Sequence, residues 1–229
     1  MNSHPLDRPV WNMLHGPQAS LAAVSGAAVR IDPGYGPFAA ARDTGTQAQV
    51  ALAALLSSPD DRIWVIEPHE WPAPSGTRMV KSAALVQMVA VNPAPPCDDD
   101  ELADLLGEAD VAQMTELALA TEPGPWGPLT RCYGAFYGIR REGGLAAMAG
   151  ERMRPAPGFA EVSGVCTWPQ FRGQGMAAAL IRRVMAGLVA RGDTPFLHSY
   201  AANAGAIRLY RSLGFEIRSE MVATVLESA

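Results

Sequence analysis

The sequence predicts an α/β domain in which a mixed β-sheet carries helices packed on its faces. Three observations lead there. Apolar residues make up 48% of the 229 positions, enough to close a sizeable core. Beyond residue 79, stretches with strand-like composition alternate with stretches of period 3.6. Glycine, proline and asparagine punctuate them into the order β-αα-β-β-β-α-β-α-β, the pattern of a sheet covered by helices.

Two proline-rich stretches, "EPHEWPAPSG" (67–76) and "NPAPPCDDDE" (92–101), can continue neither a helix nor a central strand. They divide the chain into an N-terminal α/β extension, 1–78, and a domain over 79–229. In the extension, "RPVWNMLHGPQASLAAV" reads as a helix interrupted near Gly16 and Pro17, and "GAAVRID" as a strand. "TQAQVALAALLSS" reads as a helix that Thr46 would cap, and "RIWVIE" as a short strand.

In the larger part, "ALVQMVAV" (84–91) is a strand. "DDDELADLLGEADVAQMTELALATE" is one broken helix or two, with acids in its first turn. "CYGAFYGIRREGGLAAMAGER" is a hairpin turning at Gly143-Gly144. "FAEVSGVCT" (159–167) is the next strand. A helix then runs to Arg191, with Gly192 just beyond it and Met176, Leu180, Ile181, Val184 and Leu188 on its apolar face. "PFLHSY" is a strand. Asn203 caps "AGAIRLYRSL", Gly214 stops that helix, and "FEIRSEMVATVL" is the last strand.

The formal net charge of −5 argues against a nucleic-acid binder. Seventeen of the eighteen basic residues are arginine, Lys81 being the exception. Cys97, Cys132 and Cys166 are odd in number and widely spaced, and His4, His15, His69 and His198 are scattered. Neither a disulfide framework nor a metal site is expected. No signal peptide and no membrane span are read, which gives the expectation of a soluble cytoplasmic protein.

The stretch "QFRGQGMAAAL" (170–180) holds the chemistry. It lies between a strand and a helix, and its glycines let an anion approach the free N–H groups of the helix N-terminus. Arg172 adds a charged donor. A phosphate or pyrophosphate is the natural ligand, with a plain glycine-rich turn as the alternative. The P-loop pattern is absent because no lysine follows, and the dinucleotide pattern is only half present.

The flanks extend this reading. "RGQGMA" (172–177) fits [QR]-x-x-G-x-[GA], and "NAGAIRLYRSLGF" (203–215) fits N-x-x-A-x-x-x-Y-x-x-x-G-F. Together they resemble the acetyl-CoA signatures of the GNAT superfamily of N-acetyltransferases, over about residues 79–229. "VCTWPQFRGQGMA" and "TPFLHSYAANAGAIRLY" are similar to its glycine N-acyltransferase-like branch.

The resemblance implies a mostly antiparallel central sheet and acetyl transfer from acetyl-CoA to a primary amine of a small molecule or amino acid, by direct attack in a ternary complex. It implies that the backbone from Gly173 through Gln174, Gly175, Met176 and Ala177 to Ala178, with Arg172, holds the pyrophosphate. Val165, Cys166 and Thr167 would pair with the pantetheine arm as a strand that splays from its neighbour, with Gly164 as a bulge residue. Asn203 would contact the cofactor as well as cap its helix. Tyr210 would protonate the leaving thiolate or simply hydrogen-bond it, the alternative being a tyrosine packed on its helix face with Ile207 and Leu213. Glu161, eleven residues before Arg172, would act as base, its pKa raised by burial. Alternatively it pairs with an arginine such as Arg152, and Glu122 and Glu151 are rival bases. Trp126, in "TEPGPWGP", walls the acceptor side or packs as part of a structural turn. Cys166 is read as structural.

Two further readings stay open: a protein lysine or N-terminal acetyltransferase, and a non-catalytic acyl-CoA-binding module. Residues 1–78 are either a shrunken copy of the same fold or a lid on the acceptor side. The partners expected are acetyl-CoA and an amine. No nucleic acid or membrane partner is expected, and a homodimer is one assembly kept open.

Overall fold

The computed structural model describes residues 4–97 and 102–229. Among these residues are eleven strands and five α-helices. A three-stranded antiparallel sheet is formed by β1 (Ala22–Ser25), β2 (Ala28–Ile31) and β3 (Ala39–Ala41), in that order.

The eight-stranded main sheet contains β4 (Arg62–Glu67), β5 (Thr77–Ala90), β6 (Asp104–Leu105), β7 (Phe136–Arg141), β8 (Gly144–Glu151), β9 (Phe159–Thr167), β10 (Thr194–Tyr200) and β11 (Phe215–Ser228). Its order is β4-β11-β5-β10-β9-β8-β7-β6, and β9 with β10 is its parallel pair. All its other pairings are antiparallel, so the expected mixed, mostly antiparallel sheet is present.

The helices are α1 (Pro9–His15), α2 (Thr46–Ala53), α3 (Val111–Thr121), α4 (Met176–Ala190) and α5 (Ala204–Ser212). The apolar stripe read from the sequence is what α4 buries: Met176, Leu180, Ile181, Val184 and Leu188 are each at most 4% exposed. Each such side chain contributes roughly 1.5–3 kcal/mol. Gly192, at φ 81°, ends α4, and Gly214, at φ 90°, follows α5.

Residues of the N-terminal extension enter the same core as the larger part. Leu6, Val10 and Met13 pack in one cluster with Met153, Phe196 and Met221. Strand β4 pairs with β11 through Val222↔Glu67 to Glu227↔Arg62.

Several local expectations change. The helix expected to resume after Pro17 becomes a short 3-10 turn over Ala19–Leu21 and then strand β1, because Gly16 and Pro17 break the ladder. Thr46 is the first residue of α2, and Gly45 is its cap. The expected hairpin turn moves one residue back: Arg141 pairs with Gly144, so Glu142 and Gly143 form the two-residue turn, both at positive φ. The segment expected as a broken helix contains β6, a 3-10 turn over Glu108–Asp110 and then α3, whose first turn carries no acid. The acids at 98–101 lie outside the described residues.

Two features of β9 prepare the site. It pairs with β10 only from Phe159 to Glu161, while β10 runs on along β5 to Tyr200. Past Glu161 the two strands therefore diverge and leave an open slot. On its other edge, Met148↔Cys166 and Gly150↔Ser163 place an extra residue on β9. That bulge falls at Gly164, where φ is +63°, a conformation that favours glycine.

Candidate active site

Two cavities open on the divergent edge of β9. One, of about 420 Å³, is lined by Val165, Cys166, Thr167, Asn203 and Tyr210 among others. The other, of about 250 Å³, follows the loop from Thr167 to Ala178. They share Thr167, Arg172, Ala177 and Leu209, so they form one continuous cleft. Every residue expected to bind the cofactor lines it, including Gln174 and Met176.

The loop end is built as an anion cradle. Gly173 and Gly175 sit at φ 77° and 78°, which favours glycine at both places. None of the backbone N–H groups from Gly173 to Ala178 finds a backbone acceptor among the described residues. They sit at the positive end of the fifteen-residue α4. Arg172 is tethered beside them by a bond from its Nε to the Thr167 carbonyl at 3.2 Å. This geometry fits a diphosphate.

At the other end, Asn203 Oδ1 accepts from Ala206 N at 3.1 Å, the cap expected for α5. Tyr210 lies two turns further on and faces the cleft. Burial pushes its hydroxyl up to about 12, so it keeps its proton near neutrality. Burial also pushes the Cys166 thiol up to about 12, and a protonated thiol is a poor nucleophile.

Glu161 differs from its expectation. It is fully buried and lines neither cavity. Its carboxylate accepts from Arg152 Nε at 2.8 Å and Nη2 at 3.1 Å, from His198 Nδ1 at 2.8 Å and from Met153 N at 3.4 Å. Burial pushes its pKa up, the largest single influence. The Arg152 charge and the His198 and Arg152 hydrogen bonds outweigh burial and bring it down to about 2. The raised pKa expected of a base is therefore reversed, and the alternative reading, Glu161 paired with Arg152, is the one the structure shows. Its acceptor positions are filled, which leaves no lone pair for a substrate proton.

Of the rival bases, Glu151 is buried outside the cleft and accepts from Arg154 and Arg191. Glu122 lines the cleft. Trp126 is packed edge-on against Phe136 at 5.5 Å, behind the Gly164 bulge rather than in the large cavity.

The sequence reading missed the far wall. Phe38, Trp64 and Ile66 of the N-terminal extension line the large cavity together with Leu85, Arg152 and His198. The "WVI" of β4 signals only a strand, and its placement next to the cleft depends on long-range pairing with β11.

The family model described as FR47-like protein matches residues 136–223, which run from the hairpin to the last strand. A solved structure of a GNAT-family acetyltransferase candidate from Novosphingobium aromaticivorans is 58% identical, with 99% of this chain and 100% of that chain covered, at a TM-score of 0.94. The chain belongs to the GNAT family.

More distant structures share the fold of this GNAT protein. A GCN5-related N-acetyltransferase from Kribbella flavida is 21% identical over 96% of this chain and 93% of that one, with a TM-score of 0.63. One from Sphaerobacter thermophilus is 16% identical over 97% and 93%, with a TM-score of 0.55. No curated protein matches. Membership implies acyl-CoA-dependent acetyl transfer with acetyl-CoA as donor. Among the described residues of this GNAT protein, no helix is long and apolar enough to cross a membrane.

Proposed function

We propose that the protein transfers acetyl from acetyl-CoA to the primary amine of a small molecule or amino acid, by direct attack in a ternary complex. The continuity of the cleft carries this reading. It joins the row of free N–H groups at Gly173–Ala178 to the Tyr210 hydroxyl and onward to a chamber walled by Phe38, Trp64 and Arg152. The loop and Arg172 hold the pyrophosphate, and the unpaired edge of β9 at Val165–Thr167 aligns the pantetheine arm.

The amine nitrogen bonds to the thioester carbonyl carbon, the C–S bond breaks, and the amine gives up its proton to cleft water beside Glu122. Tyr210 steadies the leaving sulfur by donating a hydrogen bond. A full proton transfer from a phenol pushed up to about 12 to a thiolate of ordinary basicity runs uphill, so the hydrogen bond is the main contribution. Glu161 acts one layer back by fixing Arg152. Residues 4–78 supply the acceptor-side wall.

Incubation with acetyl-CoA and a panel of amines should release free thiol and yield the matching N-acetyl product. Coenzyme A binding without turnover on any amine would return the protein to the non-catalytic reading.

A further inference from the structure

The acceptor chamber contains one buried cation with hydrogen-bonding capacity to spare. Arg152 follows β8, and its side chain is 11% exposed. Its Nε and one Nη2 hydrogen are committed to Glu161. Its Nη1 has no acceptor among the described residues. The guanidinium lies over the Phe38 ring at 5.0 Å, so its plane is fixed by stacking as well as by the carboxylate. Nη1 lies beside the loop Pro123–Pro125, where a Cβ on Gly124 would sit 3.6 Å from it. Arg152 and that loop line the chamber together.

Glu161 is in turn held by His198, so the fork cannot swing to follow a ligand. The wall beside the fork is apolar, made by Phe38, Trp64, Ile66 and Leu85, while His198, Ser199 and Tyr200 add polar groups elsewhere. Besides Arg172 at the donor end, two more charges stand at its margin. Glu122 lines it, in a left-handed conformation (φ 47°) that a non-glycine residue adopts at a cost of about 1 kcal/mol. Lys81 stands over the Trp64 and Tyr200 rings, which also line it.

We infer that Arg152 Nη1 anchors a carboxylate of the acceptor, so that the substrate class is an amine bearing a carboxylate and an apolar side chain, an amino acid or a close analogue. A planar guanidinium can bridge two carboxylates, one of the protein and one of the ligand. The Glu161 carboxylate fills one side of the fork. The pairing that remains is complementary to an anion beside an apolar wall, where an unpaired donor is costly. The ammonium of a zwitterionic acceptor would face Glu122, and its side chain would lie against Trp64.

This inference rests on the acetyl-transfer reading, and the test separates the two. Apolar amino acids and their carboxamides are compared as acceptors at saturating acetyl-CoA, by thiol release. In parallel, binding of the same pairs to coenzyme A-loaded protein is measured by calorimetry. The acids should bind at least 10-fold more tightly than the amides and show the lower KM. Arg152→Lys keeps a cation beside Glu161 but loses the rigid fork. It should retain coenzyme A binding and lose the preference for acids. Equal binding of acids and amides by wild-type protein, or an unchanged preference in Arg152→Lys, would overturn the anchor whether or not amines are acetylated. Tight binding of acids without thiol release would support the anchor and overturn the acetyl-transfer reading.

Discussion

Nε2 of Gln87 lies 3.0 Å from Nε2 of His198, and the amide is the donor in that contact. The Gln87 carbonyl oxygen is taken by Arg218 Nη1 at 2.8 Å, and the amide nitrogen also donates to the Leu6 carbonyl at 2.8 Å. The amide therefore cannot be turned round. His198 Nε2 accepts, its proton sits on Nδ1, and that proton is donated to Glu161. One buried chain thus runs from Arg218, whose other arm pairs with Asp7 at the surface, to the Arg152 fork in the acceptor chamber. Nitrogen NMR of His198 at neutral pH should show the Nδ1–H tautomer.

The same chain predicts the cost of breaking it. Gln87→Leu strands Arg218 Nη1, the Leu6 carbonyl and His198 Nε2. The two buried groups, on Leu6 and His198, cost about 1–3 kcal/mol each when orphaned, while Arg218 stays partly solvated, so denaturant unfolding should show a loss of roughly 2–6 kcal/mol. Coenzyme A affinity should change little, because Gln87 lines no part of the cleft.

Glu161 gives a prediction whose sign follows from its depressed pKa. A carboxyl that titrates at about 2 when folded, and near 4.3 when unfolded, contributes stability that is fully present above about 4.3. That stability should be lost as pH falls from there toward 2. Glu161→Gln removes the partner of a buried arginine and should cost roughly 3–5 kcal/mol at neutral pH, while flattening the acid limb of the stability curve. A base titrating near neutrality would instead give Glu161 an inflection in kcat/KM between pH 6 and 8. We expect none from this residue.

The donor end of the cleft was legible in the sequence because its determinants are local. Gly173, Gly175 and the first turn of α4 make their cradle from consecutive residues, and Asn203 caps a helix three residues away. The bulge at Gly164 was expected from the family resemblance, since its pairing partners Met148 and Gly150 lie on another strand. The acceptor end was not legible. Arg152 and Glu161 meet because a register shift aligns β8 with β9, and Phe38 and Trp64 arrive through a bridge and a pairing across more than 150 residues. Of the two readings of Glu161, base or partner of Arg152, burial alone pointed to the first and to a raised pKa, but the decisive charge comes from the residue just after β8.

Tyr210→Phe tests the donor half. The hydroxyl makes no hydrogen bond among the described residues, so its removal leaves no protein partner orphaned, and stability should shift by less than about 1 kcal/mol. A hydrogen bond to a charged sulfur is worth about 1.5–3 kcal/mol, so kcat should fall by roughly 10- to 150-fold. KM for acetyl-CoA should hold, since that bond strengthens only as the sulfur becomes anionic. A variant that raises KM at constant kcat would assign the hydroxyl to binding.

Gly175→Ala probes the cradle itself. No atom lies within 4 Å of the Cβ it would add, so the fold pays only for the positive φ, about 1–2 kcal/mol. The greater effect should fall on the ligand. The residue is the cap of α4 at φ 78°, and relaxing it toward negative φ turns the neighbouring N–H groups away from their common focus. Wild-type protein at a 100-fold excess of coenzyme A over Kd should gain about 2.7 kcal/mol, seen as a rise in Tm. In Gly175→Ala that rise should shrink markedly at the same ligand concentration, with Tm of the free protein only slightly lowered. An undiminished shift would mean that the anion is held mainly by Arg172, and Arg172→Gln should then abolish it.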